Sequence, residues 1–256
     1  MQAQPTFSPA AERPRVAQAA RRLVTDAPTR VFHWLFALSF LGAYLTADGE
    51  RFRLLHVTLG YTMAGLLVFR VFYGLFGPRQ AGLGLMVRKL GSAPAWLRSL
   101  RTARSLSAIN WRQGQNLAMA LAVVALLVMV VPLTFSGYAT YNEWGDFLGG
   151  DWLGEVHEFF GEAFLFVVLA HLALIVGLSV LRRKNQALPM MTGRVEGPGP
   201  HLVQKNRVWL GTLLLLAVLA YGAWEWQQSP NGLVSAQALS QAFSGGGRGG
   251  DHGDDD

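Results

Sequence analysis

The chain is 256 residues long, 51% hydrophobic and only 15% charged, with a formal net charge of +6 and a mean hydropathy of +0.26. That balance is unusual for a soluble domain. The complete lack of cysteine excludes disulfides, thiolate metal sites, iron–sulfur clusters and thioether-linked haem.

In chain order, residues 1–24 form a basic segment with no apolar stretch before Arg22, so a cleaved signal peptide is not expected. The first apolar run covers residues 31–47 and carries no formal charge. The second, 54–76, is interrupted only by Arg70. The third (117–137) and fourth (163–181) are again charge-free, and the fifth is 208–224. Each is close to the ~17–25 residues that a helix needs to cross a bilayer. The expected architecture is an all-α integral membrane protein: a four-helix bundle plus a fifth C-terminal transmembrane helix. The expected segments are 1–24 (N-terminal), 25–184 (four-helix core), 185–206 (loop), 207–227 (fifth helix) and 228–256 (tail). The glycine- and aspartate-rich end of that tail reads as disordered.

Loop charge sets the orientation. Five basic residues precede the first span, seven lie between the second and third with no acid, and six lie between the fourth and fifth. The opposite side carries only Arg51, Arg53 and Arg248. By the positive-inside rule the N-terminus is cytoplasmic and the C-terminus extracytoplasmic, in a multi-pass membrane protein. The basic balance is thereby explained, and no nucleic-acid partner is expected. Tyr138, Tyr141, Trp144 and Trp152 gather at the outer ends of the third and fourth spans, as interfacial aromatics do.

Ionisable residues inside spans are costly and mark function. His33, His56, His157 and His171 lie in or at the ends of the apolar helices. Any one alone could simply hydrogen-bond a neighbouring helix, but their depths match. His157 and His171 are fourteen residues apart, which is about 21 Å along a helix and a rotation of only about 40°. His33 then pairs with His171 near the cytoplasmic face, and His56 with His157 near the outer face. Two neutral imidazoles facing across a gap suit axial ligation of a haem iron. Gly60, Gly161 and Ala37 follow His56, His157 and His33 by four residues, leaving room on the ligand face. Arg70 and Arg30 are candidate partners for a propionate of the inner haem, and Arg53 for the outer one. The competing reading is snorkelling to lipid headgroups.

The stretches "PTRVFHW", "LHVTLGY", "FRVFYG" with Arg70, and "VHEFFGE" followed by "LAHLAL" resemble the prokaryotic cytochrome b561 family, to which the b-type subunits of nickel–iron hydrogenases are related. The resemblance covers roughly residues 25–184. It implies a diheme core with His33, His56, His157 and His171 as axial ligands, two haem b groups, and ubiquinone or menaquinone as exchangeable substrate. It also implies electron transfer between the quinone pool and a periplasmic partner, a c-type cytochrome or a small oxidant such as superoxide. A b-type anchor of a hydrogenase-like complex is the alternative within that class. From a different class, the histidines and arginines could line a transporter or proton channel. Membrane lipid is an obligatory partner, and a homodimer is compatible with this set. One departure is Gly114-Gln115-Asn116-Leu117, where family members often carry Gly-His-Asn-Pro; that position supplies no ligand in this scheme.

Quinol oxidation needs an acid–base group, for which Asp26, Glu158 and Glu162 are candidates; no catalytic residue is assigned. The outer loop "YNEWGDFLGGDW" carries Glu143, Asp146 and Asp151 without a base, a surface suited to the basic haem edge of a c-type cytochrome. His201 reads as a solvated loop residue, His252 with Asp254 to Asp256 as a weak metal site, and Pro132 as a kink in the third span.

Overall fold

A computed structural model describes residues 21–49, 52–148, 150, 152–197 and 199–229. The expectations for residues 1–20, Arg51, Asp151 and the tail with His252 lie outside the described residues. Helix α1 (Ala27–Leu45) starts where the Asp26 side chain accepts the Thr29 N–H at 3.2 Å, with Pro28 in its first turn. Helix α2 (Arg53–Phe76) stops at Gly77, and Pro78 cannot continue it. Two short helices follow, α3 (Leu83–Gly91) and α4 (Ala93–Thr102). Helix α5 (Trp111–Tyr141) is capped by the Asn110 side chain, which accepts the Gln113 N–H at 3.1 Å, and it runs on through Pro132. After α6 (Trp144–Leu148) come α7 (Trp152–Arg182), α8 (Leu188–Thr192) and α9 (Val208–Gln228).

Four helices, α2, α5, α7 and α9, are long and apolar enough to cross a membrane. Helix α1 is long enough at 19 residues, but Thr29, Arg30, His33 and Trp34 dilute the apolar character of its first half. Helices α5 and α7 have 31 residues each, about 46 Å at 1.5 Å per residue. They therefore outrun a hydrocarbon core of about 30 Å. Both begin well before the charge-free runs that marked them in the sequence.

The helices pack α1 on α2, α2 on α5, α5 on α7, and α9 on α1. Leu38, Leu41, Val128, Phe166, Val176 and Leu216 are exposed on the outside, the reverse of a soluble bundle. The interior is a cluster of Phe32, Phe36, Phe40, Met63, Leu66, Val130, Leu133 and Phe164. Phe164 lies seven residues from both His157 and His171 on α7 and packs on Phe40 at 4.5 Å between ring centroids.

The helical bundle carries one small ribbon in addition. Strands β1 (Arg21–Leu23) and β2 (Arg194–Glu196) pair antiparallel, Arg21 opposite Glu196 and Leu23 opposite Arg194. The end of the first segment is thus hydrogen-bonded to the 185–206 loop rather than standing apart from it. His201 is exposed, yet its Nδ1 accepts the Leu23 N–H at 2.8 Å, so it fastens this ribbon rather than serving only solvent.

Candidate functional site

Helices α2 and α7 bring His56 and His157 together edge-to-face, with ring centroids 5.9 Å apart and planes at 82°. His56 Nδ1 donates to the Ala43 carbonyl at 2.8 Å, and His157 Nδ1 to the Leu133 carbonyl at 2.9 Å. A carbonyl only accepts, so both Nδ1 atoms carry the proton and both Nε2 atoms keep a free lone pair. Such an anchor fixes the tautomer and orientation of a metal-binding histidine. Ser136 Oγ stands 3.4 Å from His157 Nδ1, and its neighbour Gly137 makes the space: a Cβ there would lie 2.8 Å from His157 Cε1.

This pair lines a cavity of about 340 Å³ together with Gly60, Gly161, Arg53, Glu158 and Glu162. A Cβ at Gly60 or Gly161 would meet nothing within 4 Å, so both glycines leave open room in the cavity beside the two rings. The Arg53 guanidinium stacks over Tyr141 at 5.5 Å. Asp48 also lines the cavity, giving it three carboxylates and one arginine.

At the other end, α1 and α7 bring His33 and His171 within electrostatic reach of one another. Both Nδ1 atoms are buried with no hydrogen-bond partner, a costly state that leaves these imidazoles short of polar company in an apolar interior. Helix α8 covers the rim: Trp34 Nε1 donates to the Met190 carbonyl at 3.1 Å, and an Arg30 terminal nitrogen to the Met191 carbonyl at 3.4 Å. Arg30 Nε is buried and unpartnered.

Arg70 is buried, as its place in the second span required, but it already has company within the chain. Its guanidinium donates to the Ala81 carbonyl at 2.9 Å and feels the charge of Asp26. Asp26, itself 2% exposed, accepts the Tyr73 hydroxyl. The sequence offers a propionate for Arg70; in the bundle its hydrogen-bond partner is the Ala81 carbonyl, with Asp26 within electrostatic reach. The Gly114 tetrapeptide that departs from the family pattern also has a local role: Trp96 of α4 packs on Gly114 and donates to the Asn110 carbonyl at 3.2 Å.

The His56–His157 pair offers a donor set that fits haem iron. Two imidazoles bound through Nε2 to one metal, at about 2.0 Å each, have ring centres about 6 Å apart; His56 and His157 stand at 5.9 Å. Sequence reasoning singled out the four histidines and the small residues beside them. It missed Ala43, Leu133, Ser136 and Gly137, because which carbonyl or glycine faces a ring depends on how the helices cross. Among the described residues no three histidine, aspartate or glutamate side chains converge to hold a bare metal ion. Comparison with known families matches residues 24–193 to prokaryotic cytochrome b561. No curated protein and no solved structure matches the chain.

Proposed function

The chain belongs to the prokaryotic cytochrome b561 family, multi-pass membrane b-type cytochromes of electron transfer, and from that premise we propose that it is a diheme cytochrome carrying electrons across the bilayer between quinone and a periplasmic redox partner. His56 and His157 hold the outer haem b, and His33 and His171 the inner one. Five helices span the inner membrane, α1 and α9 included, with the N-terminus cytoplasmic; the charge bias of the loops supports that orientation.

The observation that carries the reading is the facing of His56 and His157 with both Nδ1 atoms tied to carbonyls. That is the preparation a six-coordinate iron needs and a proton wire does not, since the anchored Nδ1–H bonds hold each ring in one tautomer. Haem, when bound, supplies reversible one-electron exchange at its iron. The chain's residues do the rest. Ala43 and Leu133 orient the axial rings; Gly60, Gly161 and Gly137 leave space for the macrocycle and for His157. Phe36, Phe40 and Phe164 keep water out of the interval between the histidine pairs. Arg53 and Arg30 are the propionate partners at the two rims, Arg30 through its unpartnered Nε. Arg70, already bonded to the Ala81 carbonyl, is the weaker candidate.

A reduced-minus-oxidised spectrum of the purified protein tests this. Sharp b-type bands that appear on adding a quinol are the expected result. If no such bands form, the histidines and arginines line a transporter or channel path instead.

A further inference from the structure

At the basic end of the bundle, the chain leaving α2 and the chain entering α9 enclose a cleft of about 460 Å³. Arg79 and Gln80 line it from one side, and Gln204, Lys205 and Arg207 from the other; Val203, 3% exposed, is also in its wall. Three cations and two amides converge, and no carboxylate lines the cleft. Arg207 takes a left-handed backbone conformation (φ 44°) as the N-cap of α9, so the positive end of that helix adds to the field. Its guanidinium is within electrostatic reach of the Tyr73 hydroxyl, which places it beside the buried Asp26 cluster.

We propose that this cleft binds the phosphate headgroup of an anionic phospholipid. The ligand chemistry is a phosphate that accepts charge-assisted hydrogen bonds from the two arginines and the lysine. Its source is argued from the surroundings. The neighbouring helix ends are apolar and outward-facing: Phe76 is 81% exposed at the end of α2, and Trp209 is 68% exposed at the start of α9. A phosphate held between them has acyl-chain surface on either side, whereas a soluble anion would have no use for it. Basic pockets between transmembrane helices at the cytoplasmic side are the known setting for acidic headgroups.

The site has a consequence for α9. Residues 203–207 lie beyond the stretch matched by the family, 24–193, while Arg79 lies inside it. A headgroup bridging Arg79 to Lys205 and Arg207 therefore fastens the added helix to the family core. This inference does not depend on haem ligation.

Native mass spectrometry of the detergent-solubilised full chain tests it, with phosphatidylglycerol, phosphatidylcholine or inorganic phosphate added. The variant is Arg79→Gln with Lys205→Gln; Arg207 stays because it neighbours Tyr73. The wild type should retain phosphatidylglycerol over phosphatidylcholine, and the variant should bind it about twenty-five-fold less well, two basic contacts at roughly fivefold each. Haem absorbance should be the same in both proteins. Equal phosphatidylglycerol retention by variant and wild type overturns the site. So does equal retention of the two lipids by the wild type, the deciding comparison if the variant fails to fold. Displacement of phosphatidylglycerol by millimolar inorganic phosphate overturns the lipid assignment in favour of a free phosphate.

Discussion

His157 is held by a carbonyl on one side and by an absence on the other. Leu133 accepts its Nδ1–H, and Gly137 offers no Cβ to strike the ring. Replacing Gly137 by valine would press branched carbon against a ring that a single Cβ already approaches to 2.8 Å. The expected outcome is loss of the outer haem with the inner one retained, read as a halved haem-to-protein ratio. The two ligand pairs also differ electrically. Hydrogen bonds from Nδ1 make the outer imidazoles more basic, and Asp48, Glu158 and Glu162 line their cavity; both effects favour ferric iron. The inner pair has neither Nδ1 bond, and Arg30 lies one turn from His33. The outer haem should therefore titrate at the lower potential in a spectroelectrochemical experiment on the wild type and on the Gly137→Val protein that keeps only the inner one. At this scale the histidines were legible in the sequence because a titratable ring inside an apolar run is conspicuous. The partners of those rings were not, since a backbone carbonyl leaves no mark in composition.

Among elements, Phe164 of α7 sits at the centre of the core, 1% exposed and packed on Phe36 and Phe40. Phe164→Ala should cost about 3–5 kcal/mol of stability, the usual range for removing a buried aromatic ring. A thermal melt followed by haem absorbance would read it as a clear fall in Tm. Helix α9 meets α1 at Gly211, where a Cβ would lie 3.3 Å from both the Ala27 carbonyl carbon and Val31 Cγ2. Small residues let membrane helices approach closely. Gly211→Leu should pry α9 from α1 and make the segment before it accessible to limited proteolysis, with the haem spectrum unchanged. The long spans were readable from hydropathy alone. Helices α3 and α4 were not: they are short, amphipathic and positioned by tertiary contacts such as Trp96 on Gly114. The three-residue strands β1 and β2 exist only because Leu23 and Arg194 meet across the ribbon, a pairing invisible in either segment by itself.

Over the whole molecule the charge is sorted by end. Basic residues crowd the loops around α3, α4 and α8, while Glu143 just before α6 and Asp146 in its first turn have no basic neighbour in sequence there. If the acidic end receives a basic c-type cytochrome, raising salt so that the screening length falls from about 30 Å to about 8 Å should slow their electron exchange by an order of magnitude or more. Stopped-flow mixing at 0.01 M and 0.15 M ionic strength would check it. A rate independent of salt would remove that docking surface. The central claim is that four histidines from three helices act as two couples, each gripping one iron. Haem stoichiometry of the four single histidine-to-alanine proteins and of the two within-couple double variants measures it most directly. His33→Ala and His171→Ala should each lose the same haem, and their double variant no more; His56→Ala and His157→Ala should lose the other in the same way. Losses that cross the couples, or a full haem complement in any of these variants, would contradict it.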